Sequence, residues 1–229
     1  MPRSHDSLET ATVFVVDPDP SAGQVVCELL DGSAITSVLF QTGREFLSAH
    51  DDGQPGCLVL EQRMPDMSGL QLQRRLAAAG CTLPLIFVTS KPDVSTAVEL
   101  MRGGAVHVLE KPVRAVELLE AIHEALALDR DRREARDQSA KVKNLTETLT
   151  RKERQVLELV AAGKSPKAIA AELDLSVRAV ELRRSSLMEK IDLCSSMELM
   201  RFAIVAHQES RLGRDSHSPQ SNRMLASAF

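Results

Sequence analysis

The sequence predicts a doubly wound α/β sheet of five parallel strands, followed by a small all-α domain. Two observations carry that expectation. Up to about residue 112, short apolar runs suited to burial on both faces alternate with helical stretches. Beyond that point the apolar residues recur at helical spacing, punctuated by caps and glycines. Strands that alternate with helices make a parallel sheet whose strand C-termini share one edge, the edge at which ligands bind.

Thr12-Val13-Phe14-Val15-Val16 is a β-branched strand that runs to Asp17. Asp19 and Pro20 then offer an N-cap and an N1 proline for a helix to about Asp31, before Gly32. Ile35 to Phe40 reads as the second strand and Gly43 to Ala49 as a short helix. Cys57-Leu58-Val59-Leu60 is the third strand, with Glu61 at its tip and the loop chemistry of Met64-Pro65-Asp66-Met67-Ser68-Gly69 after it. Ser68 opens a helix through Leu70, Leu72, Leu76 and Ala79 that Gly80 stops. Leu85-Ile86-Phe87-Val88 is the fourth strand, ending at Thr89-Ser90, and Asp93 to Arg102 the next helix. Gly103-Gly104 breaks it before the fifth strand, Val106 to Leu109. Val116, Leu119, Ile122 and Leu126 give the following helix one buried face. Asp129 to Lys143 is charge-rich without Gly or Pro. That segment either extends the helix as an exposed connector, open to pairing with its twin in a dimer, or is a flexible tether.

The second domain opens on Thr150 and Glu153, a T-x-x-E capping box, with Val156, Leu157 and Val160 as the buried stripe and Gly163 as the stop. Ser165-Pro166 begins the next helix, whose Ile169 and Leu173 face inward around Ala170 and Ala171. After the turn Asp174-Leu175-Ser176, Val177 to Lys190 forms a third helix with Val180, Leu187 and Ile191 inward. Ser195 and Glu198 cap a fourth, through Leu199, Phe202 and Val205. Small residues, a short turn and an Arg-rich helix make a helix-turn-helix. The expected division is 1–126 for the sheet domain, 127–146 for a helical linker, 147–208 for the helix-turn-helix domain and 209–229 for a polar, disordered tail.

At 43% hydrophobic residues and with no run of 18 apolar ones, the chain suits a soluble protein without a membrane span. The first residues, with Arg3, His5, Asp6 and Glu9, lack a signal-peptide core, so a cytoplasmic location is expected. Cys27, Cys57, Cys81 and Cys194 are widely spaced and read as buried thiols. Residues 1–128 hold nine Lys and Arg against seventeen Asp and Glu, whereas residues 129–229 hold nineteen against fifteen. An acidic front and a mildly basic back suit a regulatory domain joined to one that binds a polyanion.

The strand tips gather Asp17, Glu61, Thr89 and, just before Pro112, Lys111. The run from Cys57 to Gly69 resembles the third strand and loop of a response-regulator receiver domain, which is flavodoxin-like or CheY-like in fold. Leu149-Thr150-Arg151-Lys152-Glu153-Arg154-Gln155-Val156-Leu157, Ile169-Ala170 and Ser176-Val177-Arg178-Ala179-Val180-Glu181 resemble a LuxR-type helix-turn-helix. Together they resemble the NarL/FixJ type over about residues 12–206. The resemblance implies that Asp17 is the first metal-binding acid, Glu61 the phosphoacceptor position, Thr89 the switch hydroxyl and Lys111 the phosphate-sensing lysine. In the helix-turn-helix it implies that Glu181, Leu182 and Ser185 face base edges, while Lys167, Arg178, Arg183, Arg184 and Lys190 meet phosphates.

The receiver departs from its pattern at three positions. Glu61 stands where the family has an aspartate, Pro18 where it has the second metal-binding acid, and Val108 where it has a rotating aromatic. Phosphoryl transfer depends on positioning and charge neutralisation, so a carboxylate one methylene too long beside a depleted metal site should perform it poorly. Asp17 and Glu61 offer at most weak Mg²⁺ ligation, and no cofactor is expected. Glu61 either extends toward Lys111 and mimics a phosphorylated aspartate or forms an ordinary ion pair with it. In the helix-turn-helix, Ala179 replaces a common threonine and Arg183 a common histidine. The expected function is a DNA-binding transcription regulator, not an enzyme, with an atypical (pseudo) receiver. Expected partners are a double-stranded operator, a second copy of the chain, and a sensor histidine kinase or other regulatory protein. The alternatives are an adaptor that sequesters a kinase or a paralogous regulator, and a response regulator with residual phosphorylation.

Overall fold

The computed structural model describes residues 11–51, 53–90 and 93–215, with side chains to 208. The chain divides into two compact units, Met1–Glu134 and Ala135–Phe229. In the first, β1 (Thr12–Val16), α1 (Pro20–Asp31), β2 (Thr36–Phe40), α2 (Gly43–Ala49), β3 (Gly56–Leu60), α3 (Gly69–Ala78), β4 (Leu85–Thr89), α4 (Val94–Arg102) and β5 (His107–Glu110) alternate as expected. All four pairings are parallel and the strand order is β2-β1-β3-β4-β5.

The period of two along a strand divides the core between the faces of the sheet. Val13, Val15, Cys57, Val59, Ile86 and Val88 pack with α1 and the next helix, α5 (Ala115–Thr148). Phe14, Val16, Leu58, Leu60, Leu85 and Phe87 pack with Phe46, Leu72, Leu76 and Leu100 from α2, α3 and α4. β3 is buried at every position, the reason it reads as an unbroken apolar run. The helix starts carry the expected caps: Asp19 accepts from the Ser21 and Ala22 amides, and Ser68 and Gln71 form a reciprocal box. Gly80, at φ 78°, ends the α3 turn in the left-handed region.

α5 carries on through the segment read as either a connector or a tether. Its extension is fastened to the first unit by polar groups. Asp129, 2% exposed, accepts from the Gly56 amide at 2.9 Å and from Arg133 Nε at 2.7 Å. Arg133 also donates to the Gly53 carbonyl at 2.9 Å and to that of Gln54, and Arg132 reaches the Thr82 carbonyl at 2.8 Å.

In the second unit, α6 (Arg151–Ala161), α7 (Pro166–Glu172), α8 (Val177–Lys190) and α9 (Ser196–Asp215) follow the end of α5. Val156, Val160, Ile169, Val180, Leu187, Ile191, Leu199 and Phe202 form their core, with Val142 and Leu145 of α5 against it. The Thr150–Glu153 box is present, and the Glu153 carboxylate also takes Lys190 Nζ at 3.2 Å. The α9 backbone runs seven residues into the expected tail; residues 216–229 lie outside the described ones. Cys27 and Cys57 are buried as expected, but Cys81 is only half-buried and Cys194 is exposed, the latter because it lies in the turn before α9 and not on an inward helical stripe.

Candidate functional site

Three parallel-ladder bonds set the tips of the strands. The Asp17 amide donates to the Phe40 carbonyl at 3.0 Å, that of Glu61 to Val16 at 2.9 Å, and that of Lys111 to Thr89 at 2.9 Å. Asp17, Glu61 and Thr89 thereby end at one buried place, 5%, 7% and 2% exposed. The Lys111 ammonium bridges the two carboxylates, at 2.6 Å from Asp17 Oδ2 and 2.9 Å from Glu61 Oε2. The Arg63 amide donates to Glu61 Oε1 at 3.2 Å.

The electrostatics follow from that packing. Burial pushes the Glu61 carboxyl up, but hydrogen bonds from Thr89, Lys111 and the Arg63 amide outweigh it and hold the group below its ordinary 4.5. Burial likewise works against the Lys111 ammonium, and its bonds to Asp17 and Glu61 outweigh that, holding it above 10.5. One cation therefore serves two buried anions. The longer Glu61 side chain spends its extra methylene reaching the lysine.

The Mg²⁺ that the family resemblance implies does not fit these residues as they stand. Both candidate carboxylates are engaged by the Lys111 ammonium, and Pro18 supplies no side-chain oxygen. Among the described residues no group of three or more His, Cys, Asp or Glu side chains could hold a metal ion. Asp19 does not replace the missing acid, since its carboxylate caps α1. Val108 pairs with Phe87 and is half-buried against the α2–α4 core.

The second candidate surface is on α7 and α8. Lys167, Arg178, Glu181, Leu182 and Ser185 are exposed, and Arg183 is half-buried. Leu182 is 63% exposed, an uncovered apolar side chain, and Val177 of the same helix is exposed as well. Two of the residues expected at phosphates have partners within the protein. The Arg184 side chain is only 16% exposed and pairs with Glu181, Nη1 to Oε1 at 3.3 Å. Spacing explains it: position 184 falls on the stripe of Val180, Leu187 and Ile191, all buried. Lys190 donates to the Thr148 carbonyl at 2.8 Å and to Glu153 at 3.2 Å, where it ties the end of α8 to the start of α6.

Two functional supports were missed in the sequence. Gln62 Oε1 accepts from the Leu70 amide at 3.0 Å and so fixes the start of α3 beside the pocket. Asp129 and Arg133 were visible as an i, i+4 pair, but their partners at Gly53, Gln54 and Gly56 lie more than seventy residues earlier in the chain.

Comparison with known proteins agrees with both halves. Residues 13–123 match the family described as response regulator receiver domain, and residues 147–203 match bacterial regulatory proteins, luxR family. The chain is 39% identical to nodulation protein W of Bradyrhizobium diazoefficiens over 84% of its own length and 85% of that protein. It is 36% identical to the transcriptional regulatory protein TdiR of Thauera aromatica, over 85% and 86%. Among solved structures, response regulator StyR is similar at 36% identity and a TM-score of 0.74, covering 84% of this chain and 98% of that one.

Proposed function

The chain belongs to the NarL/FixJ family of response regulators, in which a receiver precedes a LuxR-type helix-turn-helix, and we propose that its receiver regulates DNA binding without being phosphorylated in the usual way. The family consists of DNA-binding transcription regulators and not of enzymes. The observation that carries the proposal is the Lys111 ammonium shared between Asp17 and Glu61. By the family resemblance, Thr89 and Lys111 are the groups that would hold a phosphoryl group. Both already hold the Glu61 carboxylate. Glu61 thus supplies a permanent anion where the family makes a transient one, and a sensor kinase or other regulator would act on this receiver by docking.

Within the second unit, Lys167, Arg178 and Arg183 would meet phosphates, whereas Glu181, Leu182 and Ser185 would read base edges. A two-fold operator calls for a homodimer. Two apolar faces suit one: Val94, Val98 and Met101 on α4, and Met197 and Ile204 on α9, all exposed at helical spacing. Among the described residues no helix is long and apolar enough to cross a membrane, and a DNA-binding regulator would work in the cytoplasm.

The test is intact-mass measurement of the full-length chain after incubation with acetyl phosphate and Mg²⁺, alongside operator titration. No gain of one phosphate is expected, and no change in DNA affinity. A stoichiometric adduct on Glu61 would overturn the reading.

A further inference from the structure

Arg184 occupies an unusual place for an arginine on a helix expected to face DNA. Its stem lies in line with Val180, Leu187 and Ile191, and its Nε is buried with no partner. A side chain held that way has no free reach toward a phosphate. Its outer nitrogen emerges beside Glu181, which is 52% exposed, and donates to it at 3.3 Å. Glu181 in turn stands next to Leu182, the most uncovered apolar side chain of α8.

A lone carboxylate facing DNA is repelled by every nearby phosphate. A cation fixed behind it offsets that repulsion and limits its rotamers without occupying the groove. An ionised carboxylate only accepts hydrogen bonds, and in the major groove its match is the amino group of cytosine. We propose that Arg184 is a positioning residue which holds the Glu181 carboxylate to accept from a cytosine N4 amino group in each half-site, and that it touches no phosphate itself. This rests on the DNA-binding reading above, from which it differs in moving Arg184 from affinity to specificity.

The probe is a duplex selected from a randomised double-stranded library by the full-length chain. The selected sequence should hold a C·G pair in each half-site whose exchange for T·A weakens wild-type binding about tenfold. Arg184→Leu keeps the inward stripe apolar and removes the buried Nε, so its melting temperature should match or exceed that of the wild type. It should lose the tenfold preference while the slope of affinity against salt stays unchanged. Glu181→Ala should lose the same preference, and the double variant no more than either single one. Should Arg184→Leu melt below the wild type, Arg184→Met, with an unbranched stem, carries the same comparison. Retained C·G preference in the folded variant, a salt slope lowered by about one, or a selected site without that pair would overturn the positioning role while leaving DNA binding intact. A wild-type chain that selects no duplex would overturn both readings.

Discussion

Lys111→Met removes the one cation that two buried carboxylates share while keeping an unbranched stem in its place. In the native protein Asp17 and Glu61 have side chains 8% and 9% exposed, and both lie within 3 Å of the ammonium. Deleting one partner of a buried pair typically costs about 3–5 kcal/mol, because the remaining charge stays desolvated. Lys111 is itself 22% exposed, so water can enter once it is gone, and about 3 kcal/mol is the expected loss. The sign with pH follows from the two shifts. Glu61, held below 4.5, contributes stability that is present above that value and lost as pH falls through its folded pKa. Lys111, held above 10.5, contributes stability that is present below that value and lost as pH rises through its folded pKa. Between the two the pocket is at full strength. In Lys111→Met the two carboxylates lose their shared cation and repel, a repulsion that protonation relieves. The gap from the wild type should therefore be widest near neutrality and narrow on acidification through the ordinary carboxylate range. Hydrogen exchange read by mass spectrometry on β1, β3 and β4 isolates this unit from the other, which a single melting curve of a two-unit chain would not. Adding Glu61→Gln should restore much of the loss, since it removes one uncompensated charge. A cost under about 1 kcal/mol at neutral pH, or a gap that does not narrow in acid, would refute the reasoning.

The remaining expectations are brief. Asp129→Ala strands the Gly56 amide and frees Arg133, so it should cost about 1–3 kcal/mol and raise exchange at Gly56 and along α5 from residue 129 onward; unchanged exchange there would mean that the apolar face alone holds the helix. Thr150→Ala removes the N-cap of α6 and should lower the stability of the second unit by about 1 kcal/mol, read by hydrogen exchange along α6, with the β-sheet amides unaffected. Restoring the family pattern with Pro18→Asp and Glu61→Asp together should give phosphate incorporation from acetyl phosphate greater than the sum of the single changes, and wild-type incorporation equal to that of the double variant would contradict it. Val98→Glu on α4 and Ile204→Glu on α9 should each be compared with the wild type by sedimentation, with a shift toward monomer identifying the face that pairs; a wild-type monomer at DNA-binding concentrations would remove the dimer.

Much of the fold was legible because local chemistry and tertiary structure agree along this chain. The central strands β1, β3 and β4 read correctly because burial on both faces leaves no polar alternation, and the helix starts because an Asp, Ser or Thr side chain caps its own amides within three residues. The boundaries moved by a residue or so where pairing, and not composition, ends a strand: β3 takes in Gly56 and β5 shifts to His107–Glu110. Residues 129–143 lie within α5, and Arg132 and Arg133 near the start of that stretch reach the Thr82, Gly53 and Gln54 carbonyls, contacts that no local pattern contains.

The sequence by itself determined the doubly wound sheet and the helix-turn-helix, since each rests on residue type and short-range spacing, while its resemblance to the NarL/FixJ type pointed to the family and to the pocket residues. Only the tertiary structure decided how those residues pair. That Lys111 holds Asp17 and Glu61 together depends on three strand tips meeting across separations of tens of residues. The place of Arg184 stands between the two cases. Its period put it on the inward stripe, yet charge suggested solvent, and packing decided the matter: the aliphatic stem gains from burial, and Glu181 lies close enough to satisfy the outer nitrogen.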